Sequence, residues 1–257
     1  MMTEKNNETH DRKWTTFYLD SQRRDYILDR YTFYLSQARE RIFPLYGDIE
    51  GQSQRYSDEW FKEAGQHFNP DTDDVGMHAE MAWDKGLHYG LMLEDVRNDV
   101  YLAILAGLYH RWDKDLREWV VRELEQWLDR ERIEKKIWDI SRHTLCQLLD
   151  AMGIPVTTQP FYPLIDAYGT LVNVYKHGKG NAFNALRCSH PEYFHRDVQS
   201  DAYWKFTAHD DLAVSDEQFD ALTSALFAFW KCIPLYTSSE DVQEEIPKWF
   251  LQLIESD

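Results

Sequence analysis

Asp166-Ala-Tyr-Gly-Thr-Leu-Val-Asn-Val-Tyr-Lys-His-Gly-Lys-Gly180 has the pattern of an amphipathic helix with an abrupt end. Leu164, Tyr168, Leu171 and Tyr175 recur at steps of four, three and four, which puts them on one helical face. Asp166, Thr170, Asn173 and His177 repeat those steps two residues out of phase. Two residues turn a helix by about 200°, so a polar stripe lies opposite the apolar one. Gly178 and Gly180 end the helix, since glycine leaves through φ > 0 without a steric penalty. His177 then falls in the last turn, where the carbonyl end of a helix favours a cation. With Asn173 one turn earlier and Lys176 and Lys179 alongside, this imidazole suits proton transfer beside a phosphate. The same residues also make an ordinary solvated His–Lys helix end.

Outward from this stretch the helical period continues. Trp14 to Phe43 is predicted as a helix that Pro44 and Gly47 end. Residues 47–72 are predicted as a loop-rich excursion with a short helix from Ser57 to Ala64. Asp73-Asp74 opens a pattern that runs through His88 and on to Leu128. So long a run is either one very long helix or two with a break near Gly107. Residues 131–152 are predicted as one helix ending at Gly153. Ala182–Leu186 and Glu217–Cys232 are predicted helices, with a loop at Pro191 between them. A last helix, Val242–Ile254, is disturbed by Pro247. No segment alternates with period two. The predicted class is all-α, a bundle of five to seven helices in one domain over 1–257, with 1–12 as a disordered tail.

Ten tryptophans, 15% aromatic and 43% hydrophobic residues are enough for a core. The net charge of −17 argues against general attraction to polyanions, so any nucleic-acid site must be local. Residues 1–169 and 197–257 each carry net −10, whereas 170–196 carry net +3 from Lys176, Lys179, Arg187 and Arg196 against Glu192. His177, His190 and His195 fall in the same window. RNA or a nucleotide is expected there, with Lys179 and Arg187 as binding residues. Cys146, Cys188 and Cys232 are odd in number and far apart, which points to free thiols in a reducing compartment. The polar start and the lack of any long apolar stretch predict a cytoplasmic protein with no membrane association.

Tyr109-His-Arg-Trp-Asp-Lys-Asp-Leu-Arg-Glu-Trp119 carries a second pair of stripes. Tyr109, Trp112, Leu116 and Trp119 are apolar; His110, Asp113 and Arg117 are polar and share a face. Asp113 could orient an imidazole on another helix. It could equally form a surface ion pair with Arg117, worth a few tenths of a kcal/mol. Glu80, Asp84 and His88 share a face at metal-ligand spacing, but facing helices supply no matching Glu-x-x-His pairs, so helix-surface charge is the reading and no metal or other cofactor is expected. No Gly-rich phosphate loop, G-x-S-x-G elbow or basic recognition helix is present.

Leu171-Val-Asn-Val-Tyr-Lys-His-Gly-Lys-Gly180, the short helix after it, Pro191-Glu-Tyr-Phe194 and the 109–117 stretch together resemble a family of bacterial helical proteins and, more remotely, the HEPN superfamily. The resemblance implies a helical bundle, often a dimer, in toxin–antitoxin or anti-phage systems, and in many members a metal-independent ribonuclease. The superfamily motif is Arg, a polar residue, three residues, then His. Asn173 matches the polar position and His177 the histidine, while Val172 stands in the arginine position. The resemblance implies His177, Asn173, Lys176 and Asp113 as catalytic residues and a homodimer with an antitoxin or sensor as partner. It is equally compatible with a non-catalytic sensor, immunity or protein-binding module.

Overall fold

The computed structural model describes residues 14–195 and 207–255, so the tail expected at 1–12 lies outside them. Among the described residues the chain is all-α apart from one two-stranded sheet. The elements are β1 (Thr15–Tyr18), α1 (Ser21–Gln37), α2 (Ile49–Gly65), α3 (Val75–Leu124), α4 (Arg130–Asp139), α5 (Arg142–Ala151), α6 (Tyr162–His177), α7 (Asn181–Ser189), α8 (Asp216–Cys232), β2 (Tyr236–Ser238) and α9 (Lys248–Glu255). The α-helices exceed the five to seven expected, in part because the one expected over 131–152 divides in two. The chain forms two compact units, one from residues 1–28, 110–165 and 224–257, the other from 29–109 and 166–223.

In the first unit, β1 pairs antiparallel with β2, with Thr15 opposite Ser238 and Tyr18 opposite Tyr236. The Thr16 and Thr237 hydroxyls are 2.7 Å apart in a buried hydrogen bond. The expected helix from Trp14 is therefore a strand followed by a helix. Asp20 makes the switch: its carboxylate accepts the Arg23 N–H at 2.8 Å and starts α1. The core is tryptophan-rich. Trp119 contacts Phe17 at a ring-centroid distance of 5.4 Å and Trp230 at 6.0 Å, and Trp112 meets Phe229 edge-on at 5.1 Å.

The single helix expected over 131–152 is two helices. Ile140 is extended, and Ser141 caps α5 by accepting the Thr144 N–H. Arg117 supports the break. Its guanidinium donates to the Ile137 and Ile140 carbonyls at the end of α4, and its Nε donates to Asp113 at 2.9 Å. The Arg117 side chain is only 8% exposed, so this is a buried helix-end clamp rather than a surface ion pair. α9 starts at Lys248 rather than near Val242, since Pro247 has no N–H to continue a helix from upstream.

Glu123 is also buried in this unit and accepts the Tyr18 N–H at 3.0 Å and Arg122. Burial pushes its carboxyl above the usual range, against the opposing pull of these donors. The folded chain thus holds this proton more readily than the unfolded chain. Stability should fall as pH rises from the ordinary glutamate range into the range just above it, and return on acidification through that window. Urea unfolding across a pH series should show this slope in the wild type and lose it in Glu123→Gln. An unchanged slope in the variant would assign it to other groups. All three cysteines are free; burial pushes the Cys146 thiol up to about 12 and the Cys232 thiol up to about 11, while Cys188 is exposed.

In the second unit, Tyr168 is fully buried and donates to the Leu105 carbonyl at 2.6 Å. Tyr34 donates to the Ile104 carbonyl at 3.2 Å, and its hydroxyl fills the space a side chain at position 107 would take. Gly107 is therefore a notch for Tyr34 and not a break, and α3 runs unbroken for 50 residues. The helix expected at Ser57–Ala64 within the 47–72 excursion is present but longer, as the 17-residue α2. Asp48 caps it by accepting the Gly51 N–H at 3.0 Å. α2 lies against glycines of α3: Ser53 donates to the Gly86 carbonyl at 2.6 Å, and a Cβ at Gly86 would meet Ser57 at 2.8 Å. Tyr56 stacks on Tyr89 at 4.4 Å.

Candidate functional site

Of the apolar row expected on α6, Tyr168 and Leu171 are buried and Leu164 and Tyr175 half-buried, with Val172 and Val174 completing the buried face; of the polar row, Asp166, Asn173 and His177 are exposed and Thr170 half-buried, and Lys176 is exposed beside them. Thr170 donates back to the Asp166 carbonyl at 3.1 Å. The helix ends where expected: Gly178 takes φ +66° and its N–H bonds the Val174 carbonyl at 2.8 Å. Val172 is 2% exposed and belongs to the apolar core.

The positive φ is one reason for glycine at 178, and a second imidazole is the other. A Cβ there would lie 3.4 Å from Cγ and Cδ2 of His209. His209 thus packs on the residue that follows His177. It opens a short 3-10 turn, His209–Asp211, in which Asp211 accepts the Ala208 N–H at 2.6 Å. His209 Nε2 is 3.0 Å from the Asp210 carboxylate. Its Nδ1 is buried and has no hydrogen-bond partner among the described residues.

The turn is anchored on both sides. His195 N–H bonds the Asp211 carbonyl at 3.0 Å, and Ala213 N–H bonds the Tyr193 carbonyl at 2.9 Å. Asn98 of α3 donates to the Leu212 carbonyl and accepts the Val214 N–H at 3.2 Å. A side-chain amide that satisfies both backbone groups of an extended segment fixes its register.

Asn173, Lys176, His177 and Lys179 therefore share one helix end, all exposed. Arg187 stands in the last turn of α7, its guanidinium 5.8 Å from the Phe183 ring centre. Arg196 lies outside the described residues. His190 pairs with Glu192 at 3.1 Å. Asp113 belongs to the first unit, where Arg117 holds its carboxylate. A buried guanidinium needs an anion, and Asp113 is one turn away on the same helix. Glu80, Asp84 and His88 are exposed on α3, and among the described residues no group of three or more His, Cys, Asp or Glu is arranged to hold a metal ion.

Sequence spacing did not reveal His209. Its relation to His177 runs through an absent side chain at Gly178, which no periodicity encodes. The only local signal is the acidic pair Asp210-Asp211 that holds the turn.

No family model, curated protein or solved structure matches the chain. Among the described residues no helix is long and apolar enough to cross a membrane.

Proposed function

We propose that the chain is a HEPN-like effector of a bacterial anti-phage or toxin–antitoxin system, and that it cleaves RNA with imidazoles and no metal. The observation that carries this reading is the pair of histidines at one helix end: His177, exposed beside Lys176 and Lys179, and His209, packed on Gly178. Phosphodiester transfer to a 2′-hydroxyl needs one base and one acid, and two imidazoles supply both near neutral pH.

His177 takes the proton of the 2′-hydroxyl. The 2′-oxygen attacks phosphorus, and the bond to the 5′-oxygen breaks. His209 gives its proton to that leaving oxygen, which leaves a 2′,3′-cyclic phosphate and a 5′-hydroxyl. Lys176 stabilises charge on the phosphorane, and Asn173 holds a phosphate oxygen. Lys179 and Arg187 bind the RNA backbone beyond the scissile bond. His209 transfers its proton from Nε2, the nitrogen outside the core, once substrate displaces the exposed Asp210 carboxylate 3.0 Å away, and Asp113 holds Arg117 instead of an imidazole. With Val172 in the core, Lys176 is the residue we assign to the motif's missing positive charge, without the bidentate fork of an arginine.

The buried Val172 also favours a second reading, a non-catalytic HEPN-like module that binds a sensor or an antitoxin. One assay separates the two: cleavage of total and transfer RNA in EDTA by wild type, His177→Ala and His209→Ala. The nuclease reading expects cleavage by wild type and a loss of at least ~100-fold in each variant. His177→Ala should keep the wild-type melting temperature, since His177 is exposed. No cleavage by wild type, or full activity in both variants, moves the assignment to the binding module.

A further inference from the structure

The first unit holds a groove of about 1430 Å³ between the end of α5, the turn at 153–158 and the segment 240–247 that leads into α9. The segment is tethered at one end. The Gln243 N–H bonds the Ala151 carbonyl at 2.7 Å, and Gly153, at φ +84°, lets Asp241 come so close that a Cβ at 153 would lie 2.5 Å from the Asp241 Cβ. Past this tether the chain leaves its backbone open. The N–H and carbonyl groups of Glu244, Glu245 and Ile246 make no hydrogen bond among the described residues. Open donors and acceptors along a groove are what an extended peptide pairs with when it adds to an edge.

The side chains define the chemistry of the occupant. Ala151, Pro155, Ile246, Pro247 and Leu251 give the groove its apolar surface. Asp150, Glu240, Asp241, Glu244 and Glu245 line it as well, with Lys248 as the one cation among the described lining residues. Asp150 and Asp241 are engaged locally, by the Thr157 N–H at 3.0 Å and the Ser238 N–H at 2.7 Å, while Glu244 and Glu245 are exposed. Five carboxylates against one ammonium attract a cation and repel a nucleic acid. The volume exceeds the ~300–1,000 Å³ of small-molecule clefts, so a length of polypeptide fits it better than a free polyamine does.

We propose that this groove takes an extended, basic segment of a partner protein. The segment pairs its main chain with residues 244–246, sets lysine or arginine side chains against Glu244 and Glu245, and rests its apolar side chains on Ile246, Pro247 and Leu251. The inference uses no residue of the His177 helix end and is independent of the nuclease reading.

Fluorescence anisotropy of the full chain with a labelled peptide of alternating lysine and valine tests this. The peptide should bind saturably at low salt with a Kd below ~1 mM, and its glutamate–valine counterpart should not bind. Glu244→Gln/Glu245→Gln should bind it about five- to ten-fold more weakly, as the loss of two exposed ion pairs does. Both sites are exposed outside any helix, so circular dichroism should be unchanged. Glu80→Gln/Asp84→Gln removes the same charge from α3 and should bind as wild type does. A lysine–valine peptide methylated on alternate backbone nitrogens should also bind more weakly. Spermidine at the same total charge should displace little of the peptide. No saturable binding by wild type overturns the proposal. Equal losses in the two double variants overturn it in favour of attraction by net charge. Full displacement by spermidine, or full affinity of the methylated peptide, overturns it in favour of a site that reads ammonium groups alone.

Discussion

Trp119→Ala should destabilise the first unit by about 3–5 kcal/mol, the range for truncating a fully buried aromatic. Trp119 is completely buried between Phe17 and Trp230. Alanine there removes a fully buried indole from the cluster and leaves a cavity in a close-packed core. The indole Nε1 also donates to the Tyr18 carbonyl at 3.1 Å, next to the N–H that Glu123 accepts. Losing that donor leaves a strand carbonyl without its partner, at about 1 kcal/mol within the same total. The strand pair β1–β2 should therefore loosen together with the core. Urea unfolding followed by tryptophan fluorescence and by circular dichroism should show a lower midpoint in both. An unchanged midpoint would mean that the aromatic cluster contributes little to stability.

Arg117→Met should cost about 3 kcal/mol, as removing one member of a buried charge pair does. Methionine replaces the stem of the side chain but none of its donors. The Ile137 and Ile140 carbonyls then face the interior without a partner, and the Asp113 carboxylate is left without its cation. Arg117→Lys should recover little, since one ammonium cannot serve a carboxylate and two carbonyls in the plane of a guanidinium. Asp113→Asn should be milder, about 1 kcal/mol, because the amide still accepts from Arg117 and the site is partly open to water. The order of the three midpoints in urea is the decisive readout. An Asp113→Asn chain less stable than Arg117→Met would show that the carboxylate, and not the capping of α4, is what the arginine serves.

The helix end at His177 was legible because all of its determinants are local: two stripes on one helix and a glycine after it. The same holds for α8, whose acidic start and Pro234 stop bracket an apolar face. The division of α4 from α5 was not legible, since the clamp that supports it sits on α3. Helix α2 was foreseen only in its second half, Ser57–Ala64, for a related reason. Its contact surface is made of serines, and what they touch are glycines of another helix, so no apolar stripe announces it. The strands β1 and β2 are too short for period two to rise above noise, and they form because each finds the other across the length of the chain. His209 was invisible for the most physical reason of all: its neighbour is a backbone.

None of the 17 residues of helix α2 is buried. Its attachment to α3 rests on a serine–carbonyl bond, a tyrosine stack and the close approach that two glycines allow. Little apolar surface is gained when it docks, so little is lost when it lifts away. Its amides therefore reach solvent through a sub-global opening well below the free energy that unfolds the tryptophan cluster. In hydrogen exchange the protein should behave as two tiers, with residues 49–65 trading their protons long before the strands beside Trp119 do.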